Sequence, residues 1–470
     1  MKKNSIHYII SSLISGVAGF LIISILTKEF DPISYGDYSL VITTVALLNT
    51  VLISWITQSL IRMYNNQKDK SELNILLNTS LISLFCMWMF FLIIIITMNL
   101  IIETQRFIIP IIILFVGESL FLYSSSLFRA LNKAKIYNII VCSSWILKLV
   151  FIVSFIKFNI DDILIITIAL AVPNILIGLI VVTILLFESK ESKWFSSSAF
   201  KEIYRYGIPL VGLSSMQWIM SSSDRYILKL FNKDVELGVY SLAYSISSNI
   251  YNVFITFLLL ISYPIILRSY EEGKSSLNAT RSIKEQFNYF LLILLPITFG
   301  LSILSDEAIL IISSPSYSSG TVILILTNLS MLIFGTLFYI NKVWELTKNT
   351  REIFLNSIFA ALINVLLTFI LVPFFGGTGA AISTLLGYFF FLIISYVRSR
   401  KIIRLEIDYF TSMKIIICSL AMGIIVFVGK SFIENNLFHV MLLIAVGCLV
   451  YIILLKIFGL FNLITEFIKK

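Results

Sequence analysis

Apolar residues in this chain run in blocks of roughly twenty positions, separated by short polar segments, and within most blocks every face is apolar. A strand of a membrane barrel would instead alternate over about ten residues. The hydrocarbon core of a bilayer is about 30 Å thick and a helix rises 1.5 Å per residue, so about twenty apolar residues make one crossing. The blocks predict spans at approximately 7–26, 38–61, 74–97, 107–128, 137–156, 163–187, 206–226, 238–266, 286–304, 321–341, 353–372, 379–397, 412–430 and 438–458. The expected fold is an all-α polytopic membrane protein of about 14 transmembrane helices. Connections are short, the longest being near 186–205 and 267–285, and none has the size of a soluble domain. Lys2-Lys3 before the first block suggests a signal peptide, but Ser24-Ile25-Leu26-Thr27-Lys28-Glu29 lacks a small-x-small cleavage pattern, so the first span reads as retained.

An internal repeat organises the spans. Tyr35-Gly36-Asp37-Tyr38-Ser39-Leu40 returns as Leu237-Gly238-Val239-Tyr240-Ser241-Leu242, each copy between the first and second span of its half. At the same offset Thr43, Thr50 and Ser54 correspond to Ser245, Asn252 and Thr256. An even number of spans separates the copies, so both halves enter the membrane in the same direction. That predicts two parallel bundles related by an axis along the membrane normal, with substrate handled between them.

Composition agrees: 58% of the 470 residues are hydrophobic and 13% charged, against roughly 45–50% and 25% in soluble domains. Mean hydropathy is +0.97. With the N-terminus inside, 27 of the 35 Lys and Arg fall on inner segments, 7 on outer ones and Lys148 within a span. The positive-inside rule then makes both termini cytoplasmic. The net charge of +9 reports topology and contact with anionic membrane lipid; no nucleic-acid partner is expected.

Several chemistries are disfavoured. Cys86, Cys142, Cys418 and Cys448 all lie inside spans and read as packing residues, not a disulfide framework. His7 and His439 are too few for a histidine metal site or a Ser-His-Asp triad, and no G-x-x-x-x-G-K-[ST] loop occurs. Gly376-Gly377-Thr378-Gly379 reads as a tight turn between spans 11 and 12. The outer loops are short and leave little room for catalytic carboxylates. No enzyme activity and no cofactor or metal is expected.

Polar residues inside spans carry the candidate chemistry. Ser214, Gln217, Ser221 and Asp224 fall at i, i+3, i+7 and i+10 on span 7; Ser245, Asn249, Asn252 and Thr256 fall at i, i+4, i+7 and i+11 on span 8. For Ser and Thr, helix–helix hydrogen bonding is the simpler account. For Asp224, Asn249 and Asn252 a place on a wet cavity fits equally well. Glu118 on span 4 and Lys148 on span 5 are equally far along the chain from Lys133, in their shared loop, so a hairpin brings them to matching depth. A structural ion pair and a proton-relay or substrate site both fit. Prolines at 173, 209, 264 and 296 mark kink points.

Some stretches carry a family resemblance. They are Tyr204-Arg205-Tyr206-Gly207-Ile208-Pro209-Leu210, Ser223-Asp224-Arg225-Tyr226-Ile227-Leu228, Leu237-Gly238-Val239-Tyr240-Ser241-Leu242-Ala243-Tyr244, Arg129-Ala130-Leu131-Asn132-Lys133 and Gly376-Gly377-Thr378-Gly379-Ala380-Ala381-Ile382. In these the chain resembles the polysaccharide-biosynthesis flippases. These Wzx-type proteins move O-antigen or capsule repeat units and belong to the multidrug/oligosaccharidyl-lipid/polysaccharide exporter superfamily. The resemblance implies a MATE-like fold with six-helix lobes at 1–190 and 191–405 and two further helices at 406–470. It also implies a transporter of the bacterial cytoplasmic (inner) membrane. Alternating access would carry an undecaprenyl-pyrophosphate-linked oligosaccharide from the inner to the outer leaflet, driven by a gradient of H+ or Na+, with polysaccharide assembly proteins as candidate partners. Such flippases often hold the pyrophosphate with cavity cations, yet the mid-depth parts of spans 1, 2, 7 and 8 hold no Lys or Arg. Lys148 and the mouth residues Arg62, Arg205 and Arg225 are the substitutes, beside the cavity set Thr50, Gln217, Asp224, Asn249 and Asn252. The competing readings are an ion-coupled multidrug exporter of the same superfamily and, third, a membrane glycan polymerase.

Overall fold

A computed structural model describes residues 2–64, 70–101, 105–157, 162–188, 193–273, 276–406, 408–432 and 436–469. Among them every regular element is helical. The long helices are α1 Lys2–Glu29, α2 Pro32–Tyr64, α3 Lys70–Ile101, α4 Gln105–Ala130, α5 Ala134–Lys157, α6 Ile163–Glu188, α7 Ser197–Leu230, α8 Asp234–Gly273, α9 Ser276–Ile303 and α10 Thr321–Leu346. The 50-residue segment Thr350–Ser399 contains Gly376 at φ 51°, ψ −129°, which no helix accommodates. It is therefore two helices, α11 (350–375) and α12 (377–399). An unbroken helix of that length would run about 75 Å, more than twice the hydrocarbon thickness. α13 Tyr409–Lys430 and α14 Leu437–Ile457 complete the series.

Twelve segments are long and apolar enough to cross a membrane, Thr350–Ser399 counting once. α7 has spanning length but is diluted by Ser214, Gln217, Ser221, Asp224 and Arg225. Counting α7 and both parts of the broken segment gives fourteen spanning helices among the described residues, in an all-α polytopic membrane protein. Prolines 110, 173, 209, 264, 296 and 373 lie inside these helices.

Two compact units divide the chain. One comprises Met1–Ile22 and Asp37–Trp218; the other comprises Ile23–Gly36 and Ile219–Lys470. In the first, α4 packs along α6, α5 joins them, and α2 packs on α3 and α4. Asn49–Ile53 of α2 is a π-helical segment, with Ser54 N–H donating to the Asn49 carbonyl. Such one-turn insertions in α-helices concentrate at functional positions.

In the second unit α8 packs on α9 and α10, α10 on α11 and α12, and α13 on α9 and α14. The repeat glycines meet here: a Cβ on Gly36 would lie 3.1 Å from the Gly238 nitrogen, and one on Gly238 only 1.8 Å from the Pro32 carbonyl. The turn between α1 and α2 is tied to the segment between α9 and α10, which holds a short helix, Ser305–Ile312, and a 3₁₀ turn, Pro315–Gly320. Ser24 Oγ donates to the Ile312 carbonyl (2.8 Å), Ser314 N–H to the Thr27 carbonyl (3.1 Å) and Tyr317 OH to the Phe30 carbonyl (3.0 Å).

Local chemistry explains the turns. Three helix pairs close through a left-handed residue, Asn132 (φ 53°), Asn232 (φ 56°) or Lys348 (φ 56°). In each the next N–H reaches back five residues, as in Lys133 N–H to the Phe128 carbonyl (3.0 Å), satisfying a carbonyl of the last helical turn. Gly376 turns with positive φ because a Cβ there would fall 1.2 Å from Glu236 Oε2. That same oxygen accepts from Gly377 N–H at 2.8 Å and so caps α12. Asp408 caps α13, its carboxylate accepting from Thr411 N–H (3.1 Å) and Thr411 Oγ1 (2.9 Å). These bonds, the backbone one foremost, hold its carboxyl below the usual carboxylate range.

Candidate functional site

Two buried polar clusters stand out, one in each unit. In the second unit Asp224 is fully buried on α7. Tyr240 OH of α8 donates to its Oδ2 at 2.6 Å; the Thr384 hydroxyl of α12 lies 2.6 Å from Oδ2 and the Thr368 hydroxyl of α11 lies 3.0 Å from Oδ1. Four helices therefore converge on one carboxylate. Ser383 Oγ is 2.7 Å from Thr368 Oγ1. One turn before Thr368, Asn364 is fully buried, and neither end of its amide has a hydrogen-bond partner. A buried amide without partners costs roughly 1–3 kcal/mol, so its presence asks for a reason.

Arg225 is also buried. Its guanidinium donates to the Ser221 carbonyl (2.9 Å) and lies 4.8 Å from the Tyr244 ring and 5.7 Å from that of Tyr240. The next residue along thus brings a cation to the carboxylate's aromatic wall. The α7 stripe keeps its 3.6-residue period but changes surroundings along its length: Gln217 is exposed, whereas Asp224 sits in the interior. The positions assigned to a mouth also separate, because Arg225 is interior while Arg62 and Arg205 are exposed.

Asn252 is exposed on α8, and Asn249, partly exposed, donates to the Ser245 carbonyl at 2.9 Å. Thr50, in the π-helical segment of α2, donates to the Ala46 carbonyl at 2.8 Å. Arg62 lies 4.9 Å from the Tyr206 ring.

The first unit carries the other cluster. Lys148 Nζ of α5 is 3.0 Å from Glu118 Oε1 of α4, and Asn174 Nδ2 of α6 donates to the same oxygen at 2.9 Å. Ser144 Oγ donates to Asn174 Oδ1 at 2.6 Å, closing the network. The ammonium also lies 4.9 Å from the Trp145 ring and 5.7 Å from that of Phe121. The Lys148 side chain is 5% exposed and that of Glu118 30%, so the carboxylate keeps one open side.

Helical spacing does not single out Tyr240, Asn364, Thr368 and Thr384 as neighbours of Asp224, nor Ser144 and Asn174 as neighbours of Glu118. A usable signal exists in part: Asn364 and Asn174 are amides inside long apolar blocks.

The sequence profile of a family described as polysaccharide biosynthesis protein matches residues 1–270. An uncharacterized membrane protein of Methanocaldococcus jannaschii is 25% identical over 284 residues, 58% of this chain and 53% of that protein. The chain thus matches only about half the length of this curated relative. Among solved structures, the lipid II flippase MurJ in its inward closed conformation aligns with a TM-score of 0.71 at 16% identity, over 97% of this chain and 99% of its own. An inward-facing MATE-family multidrug resistance transporter of the MOP superfamily aligns at 0.68 and 14% identity, over 82% of this chain and 94% of its own. At such identities these likenesses establish the fold. The profile covers more than half of the residues, and on that ground the chain belongs to the polysaccharide biosynthesis protein family.

Proposed function

We propose that the protein is a flippase that moves an undecaprenyl-pyrophosphate-linked oligosaccharide across the bacterial cytoplasmic membrane by alternating access, with both termini cytoplasmic. The observation that carries this reading is an apolar groove of about 510 Å³ between α9, α13 and α14. Leu292, Pro296, Gly300, Met422, Val440 and Tyr451 are among its lining residues. A lipid-linked sugar has two unlike parts, and the apolar one needs a low-polarity path beside the polar route. The groove offers that path to part of a polyprenyl chain. Eight of its seventeen lining residues come from α13 and α14, which this reading sets beyond the two six-helix lobes. The multidrug transporter's fold covers 82% of this chain, whereas the lipid II flippase's covers 97%, which also favours a lipid-linked substrate.

The Asp224 cluster is the place where this reading puts H+ or Na+ coupling. A carboxylate, two threonine hydroxyls and the unpartnered Asn364 amide supply oxygen donors for a small cation, and the carboxylate alone supplies a proton acceptor. The reading makes the protein a transporter without a catalytic step of its own.

The test is a deletion strain scored for surface glycan and for drug sensitivity, complemented with wild type and with Gly300→Phe. A Cβ on Gly300, which lines the groove, would have only the Met422 methyl, 3.9 Å away, as a near neighbour, so a larger side chain leaves the helix there without a clash at its first carbon. Wild type should restore glycan, and the filled variant should reach normal abundance without restoring it. Unchanged glycan with raised drug sensitivity in the deletion strain would favour the multidrug reading.

A further inference from the structure

A second cleft, of about 470 Å³, opens where the α10–α11 turn meets the end of α12. It is more polar than the groove, and its lining includes Trp344, Asn349, Glu352, Arg398 and Lys401. Arg398 is fixed in place by Asn356 Oδ1 at 2.9 Å and Glu352 Oε2 at 3.3 Å from its Nη1. Lys401 is exposed, and its ammonium has no ion-pair partner among the described residues. Trp344 is 3% exposed, and its indole N–H is buried without an acceptor. Asn349 precedes the first turn of α11, no side-chain cap bond closes that turn, and its one acidic residue, Glu352, is turned to Arg398, so first-turn N–H groups remain for an anion. Two cations, one carboxylate already engaged, a free indole donor and an uncapped helix start form an anion-binding set.

An apolar track leaves this set along α11. Leu355 lines the cleft, and Phe359, Leu362 and Leu366 follow it at helical spacing, exposed by 48, 55 and 61%. In a membrane-spanning helix such a stripe faces acyl chains. We propose that the cleft binds the phosphate of an anionic phospholipid, with its acyl chains lying along the Phe359–Leu366 stripe. The shared chemistry with a free phosphate is the anion; the stripe is what assigns the lipid. The site is distinct from the groove between α9, α13 and α14 and from the Asp224 cluster.

The test uses the full chain in a neutral detergent, titrated in separate arms with phosphatidylglycerol, phosphatidylcholine and inorganic phosphate. Melting temperature and lipid retained in native mass spectrometry are the readouts. Phosphatidylglycerol should bind and stabilise, while the other two should not. A basic residue near an anionic lipid surface contributes about fivefold in affinity, so Lys401→Gln should weaken phosphatidylglycerol about fivefold and the double variant with Arg398→Gln about thirtyfold. If the Arg398 variant fails to fold, Lys401→Glu carries the test alone, since Lys401 has no ion-pair partner to lose among the described residues. Equal binding of phosphatidylcholine, equal stabilisation by inorganic phosphate, or unchanged affinity in the Lys401 variants would each overturn the assignment.

Discussion

Glu118 and Lys148 allow a quantitative test of whether a buried charge pair serves assembly alone. The perturbations are Glu118→Ala, Lys148→Met and the double change. The two losses should differ. Removing Glu118 strands an ammonium that is 5% exposed and that keeps, among the described residues, the contacts to the Trp145 and Phe121 rings. Asn174 cannot replace the carboxylate, because its amide is neutral and the nitrogen it turns to this site is, like the ammonium, a donor. That loss belongs in the range of about 3–5 kcal/mol for a broken buried pair. Removing Lys148 leaves a carboxylate that is 30% exposed and still bonded by Asn174, so about 1–2 kcal/mol is expected after solvent screening. The double variant should recover much of the stability, with a coupling of about 2 kcal/mol. Thermal melts of purified protein and membrane abundance measure these energies; glycan export in the deletion strain measures function. Export should stay low in the double variant despite recovered abundance, because it lacks Glu118, whose 30% exposure gives the wild type a second carboxylate for a proton or cation in addition to Asp224. A coupling below about 0.5 kcal/mol, or a Lys148 variant worse than the Glu118 one, would refute the energetic argument. Wild-type export by the double variant would make the pair purely structural.

Three further outcomes follow from particular contacts. Cysteines at Gln217 and Asn252, both exposed, should react with a water-soluble thiol reagent under conditions where cysteines at the buried positions Tyr251 and Leu258 do not; equal reaction would rule out a wet stripe. Gly376→Ala should cost about 2–3 kcal/mol, since it strains a positive φ and displaces Glu236 from the Gly377 N–H; adding Glu236→Ala should cost less than the two separately, and strict additivity of the melts would contradict this. Asp408→Ala should cost about 1 kcal/mol at neutral pH as a lost cap. Because the folded carboxyl lies below its unfolded value, that contribution is present above the unfolded pKa of about 3.9 and fades as pH falls through the folded value. Wild type and variant should therefore converge in acid melts, and a gap that persists at low pH would show the cap to act without charge.

The helix count was legible because hydrocarbon thickness translates directly into block length, a property local to each segment. The break at Gly376 was legible as a glycine-rich turn, but its cause was not: the carboxylate that fills the space of a Cβ comes from Glu236, on another helix. Hairpin logic paired Glu118 with Lys148, since equal distance from Lys133 implies equal depth. It could not supply Asn174, which arrives from α6 at a rotation no spacing rule fixes. For Asp224 the helical period named the right stripe without its surroundings, because period tells which residues share a face and not what packs on that face. The π-helical segment at Asn49–Ile53 left no compositional trace.

The tie between the α1–α2 turn and the α9–α10 segment uses main-chain carbonyls of Thr27, Phe30 and Ile312 as acceptors. Any residue other than one that bends the backbone supplies the same carbonyl, so mutation at these three positions leaves the acceptor intact. Among the described residues Ser24, Thr27 and Tyr317 contribute side-chain donors, Thr27 Oγ1 lying 3.4 Å from the Ile312 carbonyl, and Ser314 offers its own backbone N–H. Heritable change in this latch is therefore concentrated on three donor residues. Paired substitutions across the contact, the usual footprint of a long-range interaction in a set of related sequences, should be missing there even where the contact itself is kept.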